Sequence, residues 1–161
     1  MSDVIELKRA AKVMEEFAQN KVPMIGYCQP ELLSISNEQC ETRIPLNAQT
    51  QNHLQCLYFG ALAVGADITG GFLAMWLSQQ TGHNVELLFK DFKADFKRRA
   101  VADTHFYCGD GELIQTMIAS TVSSGERVNK QIRIVAMTPS ISDDVVGEFE
   151  LTLGLKYKDR S

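Results

Sequence analysis

The stretch ALAVGADITGGFLAMW, Ala61 to Trp76, holds one ionisable side chain, Asp67, inside an otherwise apolar run. Burying an ionised carboxylate costs several kcal/mol unless it is paired, hydrogen-bonded or protonated through a raised pKa. Two uses would account for such a group. One is structural, as an acceptor for a neighbouring backbone or a partner subunit. The other is chemical: a half-desolvated carboxylate can serve as a general base or attack a carbonyl carbon directly.

Other residues of chemical interest lie on either side. Lys90, Lys93, Lys97, Arg98 and Arg99 form a basic run in a protein whose formal net charge is -4. Such a run suits phosphate oxygens. With Asp91 and Asp95 interleaved, it also fits a solvated strand face. The four cysteines, Cys28, Cys40, Cys56 and Cys108, include no Cys-x-x-Cys pair and read as reduced, mostly buried thiols. His53 and Cys56 are near enough to share a metal, but no second ligand pair accompanies them, and no metal site is expected. His83 and His105 belong to no constellation. GDGE, Gly109 to Glu112, reads as a turn rather than a phosphate-binding loop.

These side chains need elements to hold them. At 161 residues, 45% hydrophobic and 22% charged, the chain is sized and composed as one soluble globular domain, 1–161. Its acidic balance argues against nucleic acid or an anionic membrane as the main partner. The opening MSDVIELKRAAKVMEE carries early charges at Asp3, Glu6, Lys8 and Arg9 and no apolar core of a secretory signal, so a cytoplasmic setting is expected.

Val4, Leu7, Ala11, Met14 and Ala18 recur at helical spacing and predict an amphipathic helix over about 2–20, capped by Ser2 or Asp3. Residues 21–30, with Pro23 and Pro30 as brackets, read as a connecting loop. ELLSISNEQCETRIPL reads as two short strands or one bent strand, divided near Asn37 and Glu38. Leu57 to Leu77 predicts a long helix whose length alone would admit a transmembrane span. Against that stand four glycines, Gly60, Gly65, Gly70 and Gly71, and Asp67 at the centre, where insertion costs about 3 kcal/mol. A core helix, with small residues that let strands approach, explains the pattern better.

The remainder reads mostly as strand. Val85, Leu87 and Phe89 alternate, and the alternation resumes on the other phase at Phe92, Ala94 and Phe96, which predicts a bulge or a sharp bend. A helix competes there, because Leu88, Phe92 and Phe96 also fall at i, i+4 spacing. DTHFYC is a short strand. Leu113, Ile114, Met117, Ile118 and Val122 share a helical face that Gly125 can end. VNKQIRIVAM and VVGEFELTLGLKY are strands, the second with apolar and polar residues in clean alternation. A long central helix wrapped by a curved antiparallel sheet is α+β, the hot-dog architecture, with its core over about 31–158 and an extra N-terminal helix.

NHLQCLYFGALAVGADITGG, Asn52 to Gly71, resembles the signature region of hot-dog thioesterases of the phenylacetyl-CoA type and a neighbouring thioesterase-like branch. In that family an Asn precedes the central helix, a His-Gly-Gly step opens it, and an Asp or Glu follows about two and a half turns in. Asn52 matches the loop Asn, and Asp67 falls at the carboxylate position. Tyr58, Phe59 and Gly60 stand at the His-Gly-Gly positions, so only the second glycine is kept. The likeness extends loosely from Ile44 to Tyr157, and the helix over 2–20 is additional to it.

The resemblance implies hydrolysis of an acyl-CoA, with coenzyme A as part of the substrate and no resident cofactor. Asp67 would be base or nucleophile, Gly60 the oxyanion donor through its backbone N–H at a helix start, and Asn52 the orienting group. Tyr58 and Phe59 would touch the acyl group, and Lys90, Lys93, Arg98 and Arg99 would hold the phosphates of coenzyme A. Hot-dog subunits pair through a sheet edge, so a dimer or a dimer of dimers is expected. The departure at Tyr58-Phe59 keeps a second reading open: a module that binds an acyl or aromatic carboxylate without turning it over.

Overall fold

The protein, described here over residues 2–159 of a computed structural model, wraps one antiparallel sheet around one long helix. Helix α1 (Ser2–Asn20) and a short α2 (Pro23–Tyr27) lead into strands β1 (Glu31–Ile35) and β2 (Cys40–Ile44). The central helix α3 (Phe59–Thr81) follows, then β3 (Val85–Phe96), β4 (Thr104–Cys108), α4 (Gly111–Ser124), β5 (Val128–Met137) and β6 (Val145–Tyr157). The six strands are ordered β1-β2-β4-β5-β6-β3, every neighbouring pair antiparallel. This is the hot-dog arrangement that the element order predicts.

The alternation in β6 explains how sheet and helix meet. Phe149, Leu151, Leu153 and Leu155 are buried toward α3, while Glu148, Glu150 and Lys156 take the opposite face. The phase change in β3 is a bulge: the register with β6 slips between Phe89 and Asp91, leaving Lys90 as the extra residue. Phe89 therefore faces Leu153 and Phe92 faces Leu151, so both halves of β3 keep their apolar side chains on the helix side. The helical alternative for this segment would have lost that match.

Small residues on α3 admit the strands. A Cβ on Gly65 would fall 2.2 Å from the ring of Phe106 in β4, and one on Gly70 would fall 2.7 Å from Ile132 in β5. Thr69 is also buried on this side; its Oγ1 lies 2.7 Å from Thr42 Oγ1 and donates to Gly65 O at 2.6 Å. The helix is long and apolar enough to cross a membrane, yet 67% of its most apolar window is buried inside the fold.

Several boundaries differ from the sequence reading, each for a local reason. Helix α3 starts at Phe59 rather than Leu57, because Leu57 and Tyr58 donate instead to Ala100 O and Thr50 O, each at 2.8 Å. It runs to Thr81, past the expected Leu77, and stops at Gly82, which takes the left-handed conformation at φ 74°. The segment 21–30 is not all loop: Pro23 opens α2, with its fixed φ suited to a helical first turn. Ser2 already lies inside α1, and its hydroxyl donates to Asp3 rather than capping a backbone amide. Val4, expected on the buried face, is 56% exposed; Ala10, Met14 and Ala18 form the buried stripe. Only the first half of GDGE is turn, since α4 begins at Gly111.

Candidate active site

Asp67 sits two turns into α3, half-buried, on the flank away from β4 and β5. It lines a cavity of about 400 Å³ enclosed by α1, α2, α3 and the start of β3. Among the described residues its carboxylate has no hydrogen bond and no ion pair, so the structural use as a same-chain acceptor is not made. Burial pushes its pKa above the ordinary 3.8. A carboxylate without partners, half removed from water and facing an apolar space, holds a proton more readily than a free carboxylate does.

The N-terminal end of α3 forms the second part. No side chain caps it, and Leu62 N to Tyr58 O, at 3.0 Å, is its first backbone bond. The N–H groups of Phe59 and Gly60 therefore have no acceptor among the described residues, at the positive end of the helix dipole. The Tyr58 ring lies over Gly60, within 2.5 Å of where a Cβ would stand. Phe59 meets Tyr58 edge-on at 4.8 Å and Phe96 of β3 at 6.3 Å. Tyr58 and Phe59 are 47% and 61% exposed, so they belong to the surface beside the helix start, outside the cavity that Asp67 lines.

Asn52 holds its own loop. Its Oδ1 accepts from Leu54 N at 2.9 Å and Cys56 N at 3.1 Å, and its backbone N–H donates to Cys56 O at 2.8 Å. The turn passes through Gln55 at φ 61°, a conformation most side chains avoid. The carboxamide NH₂ is the part of Asn52 left for a ligand.

The basic residues are spread along and beyond β3. Lys93 lies 3.8 Å from Glu150 and Arg98 lies 3.5 Å from Asp144, while Lys90 and Arg99 are exposed with no ion pair among the described residues. Gly60 and Asp67 are not brought together within one chain: seven residues of helix separate them by about 10 Å. Sequence reasoning missed Phe17, Val22 and Ile25, which wall the cavity opposite α3. Phe17 lies three residues after Met14, at helical spacing with the buried stripe, whereas Val22 lies past the end of α1 beside Lys21, where no periodicity marks it.

The remaining chemical candidates lie elsewhere. His105 Nδ1 pairs with Glu41 Oε1 at 3.0 Å, on the sheet face away from α3. The four cysteines are buried and free, and Cys40 and Cys108 are cross-strand partners. Burial pushes the Cys108 thiol up to about 12 and Cys40 higher still, which makes both poor nucleophiles. Among the described residues no three metal-binding side chains cluster.

The architecture has many solved counterparts. A protein of unknown function from Chlorobaculum tepidum superposes with TM-score 0.82 at 11% identity, covering 94% of this chain and 97% of its own. A thioesterase from Haemophilus influenzae gives 0.66 at 11% identity, covering 91% and 90%, respectively. A thioesterase family protein from Silicibacter pomeroyi gives 0.66 at 16% identity, covering 92% and 98%. At these identities the likeness is one of fold. No curated protein matches the chain by sequence. A family profile does match, over residues 10–138, from the middle of α1 to the end of β5, and includes Asn52, Gly60 and Asp67. The chain belongs to that family, described as "Domain of unknown function (DUF4442)".

Proposed function

We propose that this protein is a thioesterase that hydrolyses an acyl-CoA, and the observation that carries the reading is Asp67: a partnerless carboxylate, raised in pKa, facing an apolar cavity. The thioesterases among its structural counterparts support the same reading. Asp67 takes a proton from water, and the water oxygen attacks the thioester carbon. The oxyanion accepts a hydrogen bond from Gly60 N–H, and the Asn52 NH₂ orients the carbonyl or the water. Collapse of the adduct breaks the C–S bond, and the departing thiolate takes the proton held by Asp67. The products are a carboxylate and free coenzyme A. Asp67 attacking directly, with hydrolysis of the resulting anhydride, gives the same products. Tyr58 and Phe59 flank the approach, and Lys90, Lys93, Arg98 and Arg99 face the phosphates. No resident cofactor is needed, and the setting is the cytoplasm.

A base and an oxyanion donor about 10 Å apart on one helix cannot serve one carbonyl, since attack needs contacts of roughly 3–3.5 Å. Asp67 of one protomer therefore works with Gly60 of a second. Strand β3 offers the contact: its outer edge has no neighbour in the sheet, over twelve residues, with Phe92 and Phe96 exposed on it. Tyr58-Phe59, in place of His-Gly, favours the second reading, a module that binds without turnover. A panel of acyl-CoAs assayed for thiol release separates the two, with light scattering on the same sample. Release from at least one thioester by a dimer or larger assembly is expected. Silence across the panel sinks the enzyme, and a stable 18 kDa monomer at micromolar concentration sinks the shared site.

A further inference from the structure

The cavity beside Asp67 has a shape and a wall that the hydrolytic reading does not use. Its contacts on α3 follow one flank of the helix, from Asp67 through Gly71 and Met75 to Gln79. That stretch of helix spans about 18 Å at 1.5 Å per residue, so the cavity is elongated along the α3 axis. The space is a channel rather than a bowl. Asp67 is at one end. At the other, Gln79, His83 and Asn84 form an exposed polar rim. Between them the lining is apolar, with Phe72 and Met75 from α3 and Val85 and Leu87 from β3, apart from Ser78, whose hydroxyl donates to Ala74 O within the helix.

The opposite wall comes from the N-terminal helices. Phe17 is on α1, Val22 joins α1 to α2, and Ile25 is on α2. Their position is fixed by the buried stripe Ala10, Met14 and Ala18, by Ile25 itself, and by Arg9, whose guanidinium lies 5.2 Å from the Trp76 ring on α3. Gly26 seats α2 on α1 so closely that a Cβ there would lie 2.9 Å from Ala18 O.

We propose that α1 and α2 form a specificity wall, and that the channel between Phe17, Val22, Ile25 and α3 takes an extended aliphatic acyl chain, its thioester end at Asp67 and its tail toward His83. The assignment rests on the thioesterase reading for the reaction at Asp67, and on the cavity alone for the chain. A channel elongated along one helix, with its ligand-directed polar groups at the ends, selects for length, because its middle offers mainly dispersion and desolvation. One methylene that no longer fits an apolar pocket changes discrimination by roughly 10–200-fold.

The test uses the full-length protein, straight-chain acyl-CoAs from acetyl to palmitoyl, and two partly buried positions on opposite walls. Met75→Trp fills the middle of the channel and should lower the long-to-short ratio of kcat/KM at least ~10-fold. Phe17→Ala widens it and should move the optimum to longer chains. Calorimetric titration with the free fatty acids of the same lengths reads the channel without turnover. If no thioester is cleaved but fatty-acid affinity rises with length and Met75→Trp abolishes the rise, the channel stands and the enzyme reading falls. If thioesters are cleaved but neither variant alters the length profile in turnover or binding, the channel falls and the enzyme reading stands. A Phe17→Ala that does not fold leaves Met75→Trp to decide. Absence of both turnover and length-dependent binding overturns the proposal outright.

Discussion

The flank of α3 that meets the sheet and the flank that lines the cavity differ in how much room each leaves. Toward β4 and β5, a single added Cβ would fall 2.2 Å from Phe106 at Gly65 and 2.7 Å from Ile132 at Gly70. Thr69 is buried there and fully engaged, with Thr42 and with the carbonyl one turn back. On the other flank, at Gly71, the added Cβ would meet Phe89 at 3.5 Å and Asp67 Oδ1 at 3.7 Å, ordinary contacts. The tight flank specifies the fold, since little but these residues lets helix and sheet close to this distance. The open flank carries the one group that folding alone does not call for. Under the proposed function, stability and chemistry thus fall on opposite sides of one helix.

The largest effect expected from this division is on turnover. Asp67→Asn keeps the shape and removes the basicity, so hydrolysis should fall at least ~100-fold. Its stability should hold or rise, because burial raises the folded-state pKa of Asp67 above 3.8. A raised carboxylate pKa favours folding fully only at pH below the unfolded value, and that contribution is lost as pH rises through the folded value. The uncharged amide of the variant undergoes no such loss. The advantage of the variant over the native protein should therefore be absent below pH 3.8 and grow above it. Urea melts across pH, with acyl-CoA turnover on the same preparations, check both. A variant that is destabilised at neutral pH but fully active in its folded fraction would return Asp67 to a structural role.

How much of this could be read in the sequence follows from the same contrast. The alternation in β6, the bulge in β3 and the cap at Gly125 follow from residue type and local spacing. The expense of Asp67 was visible too, because a charge in an apolar run stands out against any fold. Helix α3 itself is apolar all round, with a buried residue on nearly every turn, and periodicity cannot separate its two flanks. The cavity wall was hidden for another reason. Phe17 and Ile25 meet the Met75 flank only after α1 and α2 fold back, and nothing local to either segment records a partner so distant in the chain. Asn52 marks a middle case: Asn favours turns, and its hydrogen bonds to Leu54 and Cys56 are those of a turn residue, which leaves only its NH₂ for an orienting role.

The next effect in size is on stability, from the tight flank. Gly65→Ala puts a methyl against the ring of Phe106, which is fully buried. Overpacking costs about 1–3 kcal/mol, at this range toward the upper end, against a helix-propensity gain of about 1 kcal/mol. A net loss of about 2 kcal/mol is expected, read as a lower urea midpoint at unchanged slope. A neutral result would mean that β4 gives way easily and that the flank is not tight.

The smallest effect should come from the same substitution on the other flank. Gly71→Ala also trades a glycine for a better helix former, and its methyl makes only ordinary contacts with Phe89 and Asp67. With no overpacking to offset it, the propensity term of about 0.5–1 kcal/mol should appear as a gain in stability. One exchange, six residues apart on one helix, is thus expected to carry opposite signs. The two sites are about 9 Å apart along the axis and face different neighbours, so the double variant should sum the singles to within ~0.5 kcal/mol. Chemical denaturation of the native protein, both singles and the double completes the cycle. A loss at Gly71, or a coupling well beyond that margin, would show that the cavity flank is packed as part of the core, and the division between the two sides of α3 would not hold.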